Sequence, residues 1–140
     1  MAEDALLVLH YPRCSTCKRA LKWLDGHGVA YTPRDIVAQN PTAEELRLWH
    51  SGSALPVRRL FNTSGMLYRD MGLKDRLARM SDEECYELLA TNGMLVKRPL
   101  VVGTGLLLAG FREWEWADQL LGQCFWIAAP PAREERPWRT

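Results

Sequence analysis

The sequence predicts an α/β fold in which a mixed β-sheet receives an inserted helical subdomain. Three observations support this prediction: a β-α-β pattern at the start, helix signals through the middle, and two short apolar runs separated by glycines near the end. With 140 residues, 47% of them hydrophobic, the chain has the size of one globular domain that buries a core without disulfide bonds.

The β-α-β pattern comes first. The apolar run at 5–10 ends at a Tyr-Pro pair, which is typical of a buried strand entering a loop. A helix is expected to run from this loop to about Gly26, with Ser15 or Thr16 as its cap. The run at 29–36 predicts a second strand, and the proline inside it suits a sheet edge or a strand end.

The helical insertion is predicted at about residues 39–93. Thr42 lies shortly before two glutamates, and Ser81 with Glu84 forms a capping-box pattern. Each pattern precedes apolar residues at helical spacing, which continue to a glycine break. A further helix is expected after Pro56, reaching Phe61.

The last elements are a hairpin and a helix. Apolar runs at 99–103 and 106–109 enclose a Gly-Thr-Gly turn, and residues 112–121 have a helical pattern. The complete order is that of a thioredoxin-like fold with an enlarged crossover. We therefore predict one domain at 1–122 and a loosely ordered tail at 123–140, where prolines and mixed charges disfavour packing.

Charge and hydropathy narrow the functional classes. The net charge is +1, and acidic residues are interleaved with basic ones, so a direct nucleic-acid binder is not expected. No apolar run approaches the roughly 20 residues that cross a bilayer, and the acidic N-terminus has no basic leader region. These features predict a cytoplasmic protein without a membrane partner.

The central motif is Cys14-Ser15-Thr16-Cys17, which in a cytosolic protein is either a dithiol pair or half of a zinc site. A structural zinc needs four ligands, but Cys85 and Cys124 are isolated and the three histidines lack ligand spacing. We therefore predict no metal, and packing or incidental roles for Cys85 and Cys124.

The position of the motif favours redox chemistry. A thiol at a helix N-terminus is stabilised as thiolate by the helix dipole, and Arg13, Lys18 and Arg19 add positive charge nearby. Cys14 would then attack, and Cys17, about one turn later, would resolve the mixed disulfide. The alternative is that both cysteines are small buried hydrophobic residues.

A second feature is Arg98-Pro99, which leads into the third predicted strand. The thioredoxin-like layout usually places a cis proline opposite the redox cysteine, although cis is uncommon for X-Pro bonds in general. In that layout the Arg98 guanidinium lies beside Cys14 and holds an oxyanion; otherwise it is a surface arginine. His10, at the end of the first strand, either tunes this anion site or is a bystander.

Three blocks resemble the ArsC/Spx family, which contains the glutaredoxin-linked arsenate reductases and their relatives: HYPRCSTCKRALKWLDGHGV at 10–29, FNTSGMLYRDMGLKDRL at 61–77 and NGMLVKRPLVVG at 92–103. In members that reduce arsenate, a cysteine attacks the oxyanion, three arginines hold it, and glutathione with glutaredoxin completes the cycle. The resemblance assigns the cysteine to Cys14 and one arginine to Arg98.

The other two arginines have no direct counterpart. One position corresponds to Asn62, with Arg58 and Arg59 close in sequence, and the other to Gly110. Losing charge-assisted contacts of roughly 1.5–3 kcal/mol each weakens oxyanion binding by orders of magnitude. The resemblance therefore indicates the family and leaves the substrate, an oxyanion or a disulfide, open.

Two functions follow from the resemblance. The first is a thiol-dependent reductase with no bound cofactor, which takes electrons from glutathione and glutaredoxin or from thioredoxin. The second is a regulator like Spx, in which the Cys-x-x-Cys pair senses oxidation and the partner is the RNA polymerase α-subunit. A fold that keeps only vestigial activity is a third reading. Arg98-Pro99, placed as a catalytic anion site would be, favours the enzyme.

Overall fold

The structure is a computed structural model that describes residues 6–103 and 105–121. Its strands are β1 (Leu6–His10), β2 (Tyr31–Asp35), β3 (Leu100–Gly103) and β4 (Leu106–Ala109). Its α-helices are α1 (Ser15–Gly26), α2 (Ala43–Ser51), α3 (Met66–Asp70), α4 (Leu73–Arg76), α5 (Asp82–Leu89) and α6 (Glu113–Leu121). Single 3-10 turns cover Val57–Leu60, Leu77–Arg79 and Gly93–Leu95.

The four strands form one mixed sheet in the order β2-β1-β3-β4. β1 runs parallel to β2 and antiparallel to β3, and β3 pairs antiparallel with β4. The helical insertion separates β2 from β3 in sequence. This arrangement confirms the predicted α/β fold, in which a thioredoxin-like mixed sheet carries an inserted helical subdomain.

Helices cover both faces of the sheet, because the side chains of each strand alternate between two cores. Val8, Val101 and Leu108 pack with α1 and α6 on one face, where Trp116 is fully buried. Leu9 and Leu100 pack on the other face against the insertion. The cysteine motif lies at the end of the sheet where β1 leads into α1.

The insertion is ordered by two complete capping boxes. The Thr42 hydroxyl accepts the backbone N–H of Glu45 while the Glu45 carboxylate accepts that of Thr42, and Ser81 and Glu84 repeat the arrangement. Both predicted helix starts are therefore confirmed. Between these helices, His50 is buried and contacts the Tyr86 hydroxyl and the Leu55 carbonyl oxygen, each at 2.6 Å.

A bidentate ion pair joins the edge strand to the insertion. Arg34 of β2 donates to both carboxylate oxygens of Glu45 at 2.8 and 2.9 Å. This hydrogen bonding lowers the pKa of Glu45 to about 2, against a burial effect in the opposite direction. The proline of β2 lies within an edge strand, as its missing N–H requires.

Two predicted elements differ most from the structure. The helix expected after Pro56 is only a 3-10 turn at Val57–Leu60, because Phe61 leaves it to form a β-bridge with Val96. The second strand is Tyr31–Asp35 rather than 29–36, since only those five residues pair with β1.

Two further sequence predictions concern membrane spans and the C-terminal tail. No helix within residues 6–103 and 105–121 has both the length and the apolar character that a bilayer crossing requires. The predicted tail at 123–140, including Cys124, lies outside the described residues.

Candidate redox site

Cys14 itself is the N-cap of α1. Its backbone is extended (φ −91°, ψ 116°), its N–H donates to the Tyr11 carbonyl oxygen at 3.0 Å, and its Sγ accepts the N–H of Cys17 at 3.3 Å. The expectation that Ser15 or Thr16 caps the helix was therefore wrong. The thiol takes the place that a cap hydroxyl usually fills. Its sulfur therefore faces the backbone N–H groups of the first turn, which have no partner within the helix.

This position changes the acidity of Cys14. Burial acts to raise the pKa of the thiol, but hydrogen bonds from Cys17, the charge of Arg98 and a backbone hydrogen bond at Thr16 outweigh it, so the pKa is lowered. Arg13 was expected to contribute charge as well. It is exposed, and the main contributions that lower the Cys14 pKa come from Cys17, Arg98 and Thr16 instead.

Cys17 has the opposite character. Its side chain is 1% exposed, and burial, together with the neighbouring Cys14 sulfur, raises its pKa to about 12. A backbone hydrogen bond at Tyr11 and the charge of Arg98 act in the other direction. One thiol of the pair is therefore primed to ionise, while the other is held as a neutral thiol beneath it.

Arg98 is the cation that acts on both cysteines. Its peptide bond to Pro99 is cis. One guanidinium nitrogen, Nη1, donates to the carbonyl oxygens of Met94 and Val96, both at 3.3 Å, and the group lies over the Tyr11 ring at 5.4 Å from its centroid. Its Nε is buried and has no hydrogen-bond partner among the described residues. The guanidinium is thus held by backbone carbonyls and the Tyr11 ring, close enough to Cys14 to lower its pKa.

Arg98 interacts with Lys97, which in turn interacts with two more cations, Arg59 and Arg112. Burial lowers the pKa of Lys97, and the charges of Arg59, Arg112 and Arg98 lower it further, whereas Cys14 acts to raise it. Burial also lowers the pKa of Arg59, assisted by Arg112. Of these three residues the sequence analysis singled out only Arg59. Lys97, next to Arg98 in sequence, and Arg112, two residues after Gly110, were missed.

Backbone pairing brings this cluster together. The Lys97 N–H donates to the Leu60 carbonyl oxygen at 2.7 Å, and the Arg59 guanidinium donates to the Ala109 carbonyl oxygen at 3.3 Å. The Gly110 N–H donates to the Pro99 carbonyl oxygen at 2.8 Å. Residues more than thirty positions apart in sequence thus converge at one end of the sheet.

The remaining predicted site residues are Asn62, Arg58 and His10, and each has a different setting. The Asn62 N–H donates to the Leu95 carbonyl oxygen at 2.7 Å, which places it beside the same pairing, whereas Arg58 is exposed in its 3-10 turn. His10 pairs with Asp35 across the parallel strands. Backbone hydrogen bonds from Ala38 and Val37, with a contribution from His10, lower the pKa of Asp35.

Cys85 is fully buried on α5, where burial raises its pKa to about 11. A thiol in that setting stays protonated and packs as a small hydrophobic side chain, as the sequence predicted. In the part of the chain that the structure describes, no three His, Cys, Asp or Glu residues cluster as a metal site would require.

Comparison with known proteins identifies relatives of this chain. Residues 9–119 match the sequence model of the ArsC family. The uncharacterized protein YusI of Bacillus subtilis is 46% identical over 77% of this chain and 92% of its own length. The global transcriptional regulator Spx 2 of Bacillus cereus is 26% identical over 73% of this chain and 76% of its own.

Solved structures of similar proteins point to the same family. An ArsC family related protein from Bacteroides fragilis is 51% identical, with a TM-score of 0.78, over 81% of this chain and 97% of its own. An arsenate reductase from Vibrio cholerae is 26% identical, with a TM-score of 0.69, over 85% and 97%. The family match spans the cysteine motif, the cis proline and the inserted helices, so this chain belongs to the ArsC family.

Proposed function

We propose that this protein is a thiol-dependent oxidoreductase in which the Cys14 thiolate attacks an oxyanion or a disulfide. The observation that carries the proposal is the position of Cys14 Sγ, which accepts the Cys17 N–H at 3.3 Å and lies in the field of Arg98. A thiolate is the nucleophilic form of cysteine, and these contacts shift the ionisation of Cys14 towards it.

Cys17 is proposed as the resolving thiol. With a disulfide RSSR, Cys14 forms a mixed disulfide and expels one RS⁻; Cys17 then attacks Cys14 Sγ and expels the second. The protein dithiol is oxidised to a disulfide while the substrate is reduced to two thiols. The Cys14 sulfur contributes to raising the Cys17 pKa, and this contribution disappears once Cys14 is in a mixed disulfide. Cys17 therefore becomes easier to ionise when it is needed.

In this proposal the protein positions the reacting groups and stabilises negative charge, and external thiols supply the electrons for each new cycle. Arg98 stabilises the negative charge that collects on sulfur or on a bound anion. Glutathione with glutaredoxin, or thioredoxin, is proposed to return the Cys14–Cys17 pair to the dithiol. The alternative resolution, by an external thiol attacking the mixed species directly, makes Cys17 dispensable.

A coupled assay tests this proposal. NADPH oxidation is followed with glutathione, glutaredoxin and glutathione reductase, or with thioredoxin and its reductase, in the presence of arsenate or of hydroxyethyl disulfide. We expect turnover with at least one substrate that Cys14→Ser abolishes. Cys17→Ala separates the two resolution routes, because it stops turnover only if Cys17 resolves. Absence of Cys14-dependent turnover with both substrates and both donors would contradict the proposal.

A second candidate is a redox-sensing regulator, favoured by the Cys-x-x-Cys pair and by the resemblance to transcriptional regulators. In this reading the oxidation state of Cys14 and Cys17 controls binding to the RNA polymerase α-subunit. A pull-down with the α-subunit, comparing oxidised and reduced protein, tests it. Binding that depends on oxidation supports the regulator, and absence of binding in both states rejects it.

A further inference from the structure

Tyr11 contacts both the redox motif and Arg98. It directly follows β1, and because it precedes Pro12 its backbone favours extended conformations. Its carbonyl oxygen accepts the Cys14 N–H at 3.0 Å. Its ring lies against the Arg98 guanidinium, with 5.4 Å between the guanidinium carbon and the ring centroid. One residue therefore joins the start of the helix that carries the nucleophile to the cation that acts on it.

Arg98 is held by uncharged groups. Its Nη1 donates to the carbonyl oxygens of Met94 and Val96, and the Tyr11 ring packs on the guanidinium. No carboxylate among residues 6–103 and 105–121 lies within 4.0 Å of it. A carboxylate partner would oppose the effect of Arg98 on a thiolate, whereas the negative face of a ring attracts the cation and carries no net charge. The ring therefore restrains the arginine and leaves its charge free to act on sulfur.

Arg34 shows the contrast within the same molecule. Its guanidinium carbon lies 5.8 Å from the centroid of the Trp49 ring, which is a similar cation–π geometry. It also forms the bidentate ion pair with Glu45. The ion pair suits an arginine that joins the edge strand to the insertion. The absence of one suits Arg98, whose charge lowers the pKa of Cys14.

The Tyr11 ring has its own support. It is partly buried and packs against the core on the insertion side of the sheet, which includes Leu9 and Leu100. An arginine side chain has several rotatable bonds and loses conformational entropy when it is fixed in one position. A ring anchored in the core favours one such position for the Arg98 guanidinium. The placement of the guanidinium relative to Cys14 therefore depends on Tyr11 as well as on the backbone carbonyls.

Building on the proposed role of Cys14 as the nucleophile, we propose that Tyr11 is a positioning residue, whose ring holds the Arg98 guanidinium by a cation–π contact and so favours the reactive thiolate of Cys14. Tyr11 acts through Arg98 and does not itself react. The charged or titratable groups that act on Cys14 are Cys17 from α1 and Arg98 and Lys97 from the segment before β3. Of these groups, Arg98 is the cation that packs on the Tyr11 ring.

The pH dependence of Cys14 alkylation by iodoacetamide in the reduced protein tests this assignment. Tyr11→Leu removes the ring and keeps the backbone contact with Cys14. We expect it to raise the midpoint by about half a pH unit, less than Arg98→Gln does, because the guanidinium is still present but less restrained. Tyr11→Phe keeps the ring and should keep the parent midpoint. The plateau rate at high pH should stay within about twofold in both, since there the thiol is fully ionised and the rate reports only access to the sulfur.

Three further variants show whether the ring acts through Arg98. In an Arg98→Gln background, Tyr11→Leu should cause no further shift, because the two residues act as a unit. Trp49→Leu is the matched control: it removes the ring of the cation–π pair at Arg34 and should leave the midpoint unchanged. Pentafluorophenylalanine at position 11 keeps the shape of the ring but removes the negative charge of its face, so it should shift the midpoint as Tyr11→Leu does. It also provides the test if the leucine variant does not fold.

The outcomes separate this proposal from the proposed function. A rise of the midpoint in Tyr11→Leu that is absent in Tyr11→Phe, and absent when Arg98 is replaced, supports the positioning role. An unchanged midpoint in Tyr11→Leu, an equal rise in Tyr11→Phe, or an equal rise with and without Arg98 overturns it. These results do not depend on turnover. Failure of the coupled assay with the Tyr11 shifts present would reject the proposed function and leave the positioning role supported.

Discussion

Helices α2 and α5 of the insertion and helix α1 beside the sheet begin in the same way but with different side chains. At α2 and α5, the hydroxyls of Thr42 and Ser81 accept the N–H three residues later, at 3.0 and 3.2 Å. At α1, the Cys14 sulfur accepts the equivalent N–H of Cys17 at 3.3 Å. The Cys-x-x-Cys motif thus occupies the two positions that Ser/Thr-x-x-Glu occupies in a capping box.

The difference lies in the return hydrogen bond. Glu45 and Glu84 accept the backbone N–H of their own cap residues, at 3.0 and 2.8 Å. The Cys14 N–H instead donates to the Tyr11 carbonyl oxygen. The Cys17 side chain therefore makes no return hydrogen bond to the cap residue, and it is buried. The same backbone geometry therefore stabilises a helix in the insertion and activates a thiol at α1, because sulfur ionises near neutral pH and a hydroxyl does not.

The largest expected effect separates capping from chemistry at Cys14. Cys14→Ser keeps a good cap atom but removes the nucleophile, so the single-turnover rate with dithiodipyridine should fall by about 10³-fold or more. The free energy of unfolding, measured in urea, should change by no more than about 0.5 kcal/mol. Cys14→Ala is the control, and should lose the rate and about 1 kcal/mol as well. Equal destabilisation by both variants would show that the sulfur does not act as a cap.

The next effect concerns the acidity that the cap position confers. Alkylation of Cys14 by iodoacetamide in the reduced wild-type protein, where the buried Cys17 thiol stays protonated, should increase with pH to a midpoint below the ordinary thiol value of about 8.5, because the folded-state pKa is lowered. The same shift means that Cys14 stabilises the fold above its unfolded pKa, and that this stabilisation is lost as pH falls through the folded pKa. Arg98→Gln should move the midpoint upward. A midpoint at or above 8.5 in the parent protein would contradict activation.

The smallest effect tests the hydroxyl caps. Thr42→Ala and Ser81→Ala should each lower the free energy of unfolding by about 1 kcal/mol, since each removes the hydroxyl that accepts the backbone N–H of Glu45 or Glu84. Thr63→Ala, at an exposed position outside the helices, should have little effect in the same urea titration. The alkylation rate of Cys14 should remain within about twofold in all three. A cap variant that slowed Cys14 tenfold would instead indicate coupling between the insertion and the site.

Local sequence patterns predicted the hydroxyl caps well and the sulfur cap poorly. Ser81 and Glu84 define a helix start because both partners of the hydrogen bonds lie within four residues. The cap of α1 was assigned to Ser15 or Thr16 because hydroxyls are the usual cap residues, and only the extended backbone of Cys14 reveals its role. Propensity could not show which of three adjacent polar side chains would face the first turn.

Long-range pairing explains what the sequence did not show in the candidate site. Arg98 was found because it precedes the proline, whereas Lys97 and Arg112 have no motif of their own. Their association with Arg59 depends on the Lys97–Leu60 hydrogen bond and on the contact of Arg59 with Ala109. The neighbouring β-bridge between Phe61 and Val96 also explains why Phe61 is not part of the helix predicted after Pro56. Contacts across 35 to 50 positions in sequence leave no local signal.

Gly110, whose N–H donates to the Pro99 carbonyl oxygen, has φ +83°, and this has a consequence for how sequences in this family can diverge. A side chain at position 110 would adopt a left-handed backbone that only glycine tolerates well, and its Cβ would meet Lys97 Cε at 3.0 Å, so the end of the lysine would have to shift slightly. The backbone conformation therefore disfavours a side chain at position 110 more than the contact with Lys97 does. Among related sequences that keep this turn, position 110 should remain glycine whatever residue stands at position 97.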